Sequence, residues 1–235
     1  MKTIVRLLIS SFAAGVLLQA LSVAEVPPPA SSIALISKVV LDVFRKETGK
    51  EWLAAKKGET LASGDKVKTG AKSIAIIKFK DNSLVRVREL TELTVTGSMD
   101  GSAFSKSVDV KSGVVGFNIK KQQTGEEFRF SSPTSVASIR GTGGSFNASS
   151  LADTLIVTDG AIQFTNNVSS TVVEVKDGFT GISKPDGTIT TRPSTAEERA
   201  AAEQAARVSD QDNRLEFELR DGKGNSKRLK IDFRD

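Results

Sequence analysis

The chain contains no cysteine, no histidine and no tyrosine, and only one tryptophan. Without Cys or His, thiol nucleophiles, Ser-His-Asp triads, Cys/His zinc sites and His-ligated haem are excluded. The lack of Cys also removes disulfides as a guide to compartment, which must be argued from other signals. Neither sign of charge dominates, since 33 Lys and Arg stand against 28 Asp and Glu. Two of the basic residues, Lys2 and Arg6, lie in a leader, and without them 31 basic and 28 acidic residues remain. No block of like charge occurs anywhere, which argues against a nucleic-acid-binding arm.

What is present favours pleated structure. A hydrophobic fraction of 38% and a charged fraction of 26% over 235 residues suit a soluble globular chain with a continuous core. Val, Ile, Thr, Ser and Gly are plentiful, and that bias fits half-buried strands.

The first residues are Met1-Lys2-Thr3-Ile4-Val5-Arg6, followed by an apolar run from Leu7 to Leu21. A short cationic start before such a run is the pattern of a secretory signal peptide. Ser22 and Ala24 occupy the two positions a signal peptidase reads, so cleavage is expected after Ala24, leaving residues 25–235. Pro27, Pro28 and Pro29 keep residues 25–32 extended as a linker. The apolar run is shorter than the ~20 residues of a membrane span, and nothing later is long and apolar enough to make one. The expectation is an exported protein of the periplasm or cell envelope with no transmembrane span once the leader is cleaved.

From residue 33 to residue 193 the chain reads as short strands separated by Gly-containing turns. Ile74–Phe79 and Leu84–Arg88 flank Asp81-Asn82-Ser83, which has hairpin-turn chemistry. Leu90–Val95 continues the alternation, and further strands are expected at Ser107–Val110, Val114–Ile119, Glu127–Phe130, Leu155–Val157, Ile162–Thr165 and Val172–Val175. Ile33–Phe44 also carries a helical spacing, but its β-branched residues favour strand. Three segments, at Gly113, Gly160 and Gly178, share one form: a polar pair, a Gly able to take positive φ, then an alternating strand. Stacked short strands of this kind build an all-β sandwich or an irregular solenoid.

The tail, residues 194–235, holds nine basic and ten acidic residues and changes character. A helix is expected from Ser194 as N-cap to about Ser209, with little apolar surface beyond Ala. Leu215–Leu219 and Leu229–Phe233 then alternate strictly around Asp221-Gly222-Lys223-Gly224, a β-hairpin signal. An isolated hairpin is marginal in water, so its apolar face needs the body or a partner to cover it.

Two separated motifs carry a family resemblance. Gly64-Asp65, Thr69-Gly70, Ser73, Phe79, Asp81 and Ser83 form one, and Ser132–Ile139 leading into Arg140-Gly141-Thr142 forms the other. In this order and spacing, over about Ile33 to Lys184, they resemble the FecR domain. The resemblance implies an all-β, twisted solenoid-like or sandwich-like domain working outside the cytoplasmic membrane. In founding members that domain follows a cytoplasmic anti-sigma segment and a membrane helix, and takes a signal from an outer-membrane receptor. Here a cleavable leader stands in that place, so a free-standing exported protein is expected, without contact to a sigma factor.

Arg140-Gly141-Thr142 is the most distinctive site. Arg140 either grips a partner's carboxylate or satisfies turn carbonyls while Gly141 takes a conformation closed to other residues. Gly141-Thr142-Gly143-Gly144-Ser145 lacks the Lys and helix start of a phosphate loop. Asp65, Asp81, Asp159, Asp177 and Asp186 sit beside turn residues and read as caps, since no calcium-ligand spacing appears. Trp52, beside Lys56 and Lys57, is the one candidate for stacking on a sugar, the alternative being a partly buried strand residue. No catalytic residue, metal or cofactor is expected. The expected partner is an envelope protein, such as a receptor or membrane sensor, or else cell-wall glycan; nucleic acid is not.

Overall fold

Alternation along the chain is read out as two facing β-layers in the computed structural model, which describes residues 32–100 and 103–207 and the strands 214–220 and 226–232. The leader and nearly all of the Pro-rich linker lie outside the described residues. In chain order the strands are β1 (Ser32–Val40), β2 (Val43–Lys46), β3 (Leu53–Ala54), β4 (Thr60–Ala62), β5 (Lys66–Thr69), β6 (Ile74–Phe79) and β7 (Leu84–Val87). Then come β8 (Glu92–Asp100), β9 (Ala103–Asn118), β10 (Glu127–Ser131), β11 (Ser135–Ile139), β12 (Gly143–Ala148) and β13 (Asp153–Asp159). The series closes with β14 (Ala161–Asn166), β15 (Val172–Lys176), β16 (Phe179–Ser183), β17 (Ile189–Pro193), helix α1 (Ala196–Ala206), β18 (Arg214–Arg220) and β19 (Ser226–Asp232).

One layer runs β4-β1-β6-β7-β9-β12-β13-β16-β17. The other runs β3-β2-β5-β8-β9-β10-β11-β14-β15. Among the described residues every pairing is antiparallel except β9 with β10. From β10 onward the chain lays two strands in one layer, then two in the other, so the sandwich is wound like a solenoid. The all-β expectation is met in both of its forms.

Strand β9 belongs to both layers. Its first half pairs with β8 and β10, and its second half with β7 and β12. The sequence pattern predicts two strands here with a turn at Gly113; the chain instead continues, with a register shift opposite Glu92 and Leu93 and Gly113 at φ 101°. A bulge at Lys111, with Gly113 at positive φ just beyond it, bends the strand from layer to layer without ending it. Gly160 and Gly178, at φ 81° and 76°, do make the expected turns.

The core between the layers is a row of phenylalanines. Phe79, Phe117 and Phe146 come from one layer and Phe128, Phe130 and Phe164 from the other, all at most 2% exposed. Ring centroids lie 5.0 Å apart for Phe79–Phe128, 4.8 Å for Phe117–Phe130 and 6.1 Å for Phe130–Phe146. Strand β12 was not foreseen, because Gly143-Gly144-Ser145 reads as a loop. A Cβ on Gly144 would stand 3.1 Å from the Phe117 ring and closer still to the Ile156 carbonyl, so glycine there serves strand packing.

Helix α1 crosses the outer side of one layer. Its N-cap is Thr195, not Ser194: the Thr195 side chain accepts from the Glu198 amide and Glu198 accepts back, a capping box. Ser194 is buried, its hydroxyl 2.8 Å from that of Thr180. The helix ends at Ala206, short of the expected Ser209, which lies outside the described residues. Beneath it the register aligns Arg192, Thr180, Ile156, Ser145, Gly116 and Arg86 on adjacent strands. Arg192 donates to both oxygens of Glu198 near the N-terminal end, at 2.8 and 2.6 Å. At the other end buried Arg86 donates to the Arg207 and Gln204 carbonyls, at 2.6 and 3.3 Å, satisfying acceptors that a helix C-terminus leaves open. Gly116 lets the helix come close, with a Cβ there falling 2.6 Å from the Ala206 nitrogen. Although its apolar face is almost entirely Ala, the helix lies against the layer with Ala202 and Ala205 buried.

Strands β18 and β19 pair with one another in a separate two-stranded sheet, with Leu215 opposite Ile231 and Phe217 opposite Leu229. That is the expected hairpin; its turn lies outside the described residues.

Candidate functional site

The residues of the first motif are consumed by the fold. Asp65 is buried and accepts from the Ala62 and Thr48 amides, at 3.0 and 3.3 Å. The Thr69 hydroxyl donates to the Arg88 carbonyl and accepts from the Thr91 amide. Ser73 accepts from the Asp42 amide and donates to the Ala71 carbonyl. Ser83 accepts from the Lys120 amide. Each side chain pins one turn to a neighbouring turn, supplying backbone groups with the partners they need when removed from water.

Asp81 does more. It caps its own turn through the Ser83 amide, at 2.9 Å, and accepts from the Lys106 ammonium at 2.8 Å and from Gln122 at 3.0 Å. Lys106 is 3% exposed and rises from β9 in one layer to reach a turn of the other. Burial by itself would raise the Asp81 pKa, but Lys106, Gln122 and the Ser83 amide outweigh it and hold the carboxyl below its usual range. Asp186 caps the Thr188 amide. Asp159 and Asp177 are exposed. Among the described residues no group of acids is placed to hold a metal ion.

Arg140 follows β11 at one loop-bearing end of the sandwich and is exposed. It does not prop turn carbonyls, and among the described residues it makes no hydrogen bond. Its field reaches Glu127, whose carboxyl is held low chiefly by a hydrogen bond from Arg129. Gly141 behaves as expected, at φ 113° and packed against the Lys121 backbone. The Thr142 hydroxyl is buried without a hydrogen-bond partner.

Trp52 is half-buried in the loop before β3, not in a strand. The Lys68 ammonium lies 4.4 Å from its ring centroid and 5.2 Å from that of Phe44, a cation–π arrangement that occupies one ring face. Lys68 is on β5, four strands from β11, about 19 Å at the usual strand spacing. The two sequence-derived sites are thus separate.

Residues 65–163 match the profile of the FecR protein family. This segment belongs to the FecR family. The FecR match takes in most of the first motif from Asp65 and all of Arg140-Gly141-Thr142, so the residues that carried the resemblance lie almost wholly inside it. Among solved structures, two crystal structures of a proposed anti-sigma factor from Parabacteroides distasonis, at 1.65 and 2.50 Å resolution, overlap with 58% of this chain at 14% identity and a TM-score of 0.49. The chain spans 63% and 62% of their lengths, under two thirds in each case. No curated protein matches. Among the described residues no helix is long and apolar enough to cross a membrane.

The reading of single residues missed Lys106, Lys68 and Arg86. Each is an ordinary basic residue in an alternating strand, and its partner lies on an element remote in sequence. No local pattern marks such a residue.

Proposed function

We propose that this protein is a non-enzymatic, exported component of the cell envelope whose FecR-family domain binds a protein partner in signalling or assembly. The functional unit is residues 33–193 with the tail 194–235 attached, after loss of the leader 1–24 and with 25–32 as linker. The observation that carries the reading is how the family's residues divide. The first motif is spent on turn locking, whereas Arg140 of the second is turned outward on a rigid turn. A side chain held out from a locked backbone suits recognition of another macromolecule.

In-cell crosslinking of the tagged, processed protein, with identification of what is captured, tests the reading. A specific envelope protein, such as a receptor or membrane sensor, is the expected capture. Recovery of cell-wall glycan alone would overturn it in favour of a polysaccharide- or peptidoglycan-binding module.

A further inference from the structure

Resting on the protein-binding reading above, we propose that the end of the sandwich bearing Arg140 is a cationic docking rim for an acidic segment of the protein partner. Three turns build the rim. Arg140 follows β11, Lys120 and Lys121 follow β9, and Lys80 lies in the turn between β6 and β7; all four are exposed.

Backbone contacts bring these turns together and hold them. The Lys120 amide donates to the Ser83 hydroxyl at 3.1 Å, joining the second turn to the third. The Ile119 amide donates to the Thr142 carbonyl at 2.9 Å, joining the second to the first. Gly141 runs so near Lys121 that a Cβ would stand 2.8 Å from the Lys121 Cα. The cations thus ride on a fixed frame, and little backbone ordering remains to be lost on binding.

These charges are not spent within the domain. Among the described residues none of the four forms an ion pair, and Glu127, a carboxylate that the Arg140 field reaches, is already held by Arg129. An arginine fork with flanking ammonium groups matches carboxylates, and complementary charge of this kind speeds encounter and fixes register. The rim also contains acids: Glu126 and Glu127 lie beside the same turns, and exposed Asp159 pairs in register with Gly143. A uniformly anionic membrane would meet those acids with repulsion, whereas an acidic peptide can set its carboxylates against the cations alone.

The test titrates the full processed protein with a short polyglutamate peptide and, separately, with phosphatidylglycerol vesicles. The peptide is expected to bind at low salt, to weaken as salt rises, and to lose about tenfold in affinity in the double variant Arg140→Glu, Lys121→Glu. Lys184→Glu, at the other end of the sandwich, should leave binding unchanged, and urea midpoints confirm that both variants fold. No peptide binding, or binding indifferent to the double reversal, overturns the rim. Vesicle binding that depends on Arg140 and Lys121 and exceeds peptide binding overturns it in favour of a membrane contact. In-cell crosslinking of the double variant separates this inference from the broader reading. A specific envelope protein captured by the parent and retained by the variant would refute the rim and leave protein binding standing.

Discussion

Replacing Gly116 with alanine isolates the contact that seats helix α1. Gly116 lies in β9 without a positive φ, so alanine would fit its backbone. On backbone entropy alone, Gly→Ala in a strand is expected to stabilise by about 0.5–1 kcal/mol. The added Cβ, however, would meet the Ala205 carbonyl and stand 2.6 Å from the Ala206 nitrogen, main-chain atoms that cannot rotate away. The end of α1 must therefore lift. Lifting exposes the Ala202 and Ala205 methyl groups, at about 0.8 kcal/mol each. It also breaks the short hydrogen bond from Arg86 to the Arg207 carbonyl, about 1.5–3 kcal/mol for a charged donor. Set against the entropic gain, a net loss of about 2–4 kcal/mol is expected. Urea unfolding followed by far-UV circular dichroism measures it, and tryptic cleavage after Arg199 should quicken as the helix detaches. A variant as stable as the parent or more so, with unchanged cleavage, would refute the seating argument, because the two effects have opposite signs.

Three further outcomes follow from the same geometry. Lys106→Met should cost about 2–3 kcal/mol in urea unfolding, since it strands Asp81 beside a buried apolar end; Asp81→Asn should cost less, because asparagine can still cap the Ser83 amide. Glu198 is held at about 2, chiefly by hydrogen bonds from Arg192, against an ordinary 4.5. A carboxyl lowered on folding stabilises fully above its unfolded pKa, so this contribution is lost as pH falls from about 4.5 to about 2. With Arg192 44% exposed the amount is reduced to about 1 kcal/mol, and Glu198→Gln should flatten that part of a stability–pH curve. Soluble peptidoglycan fragments should leave the emission of Trp52 unchanged, given the Lys68 ammonium over its ring; a saturable shift, with binding heat in calorimetry that Trp52→Ala abolishes, would restore the glycan reading.

Much of the β architecture was legible because its cause is local. Alternation in Ile74–Phe79 and Leu84–Val87, with a turn-forming Asp81-Asn82-Ser83 between, needs no distant partner to be recognised. The same holds for the turns at Gly160 and Gly178, whose positive φ is a local demand of the turn. Gly113 and Gly143-Gly144 misled because the reason for glycine lies elsewhere: a bend between layers in one case, Phe117 and Ile156 in the other. Of the candidate site, Arg140 was legible as a motif, but its outward direction and the neighbouring Lys80, Lys120 and Lys121 were not.

Composition and pattern alone therefore determined that the chain is all-β and that Cys- and His-based chemistry is excluded, while the resemblance of two motifs to the FecR domain pointed to the segment that matches that family. Tertiary structure decided what individual charged and glycine residues do. Arg86 looks like any polar residue in a strand until a helix terminus 121 residues away lies over it. Lys106 looks solvent-facing until the layers close and its ammonium meets Asp81. Periodicity reports the face a side chain takes, and only folding brings to that face the group with which it interacts.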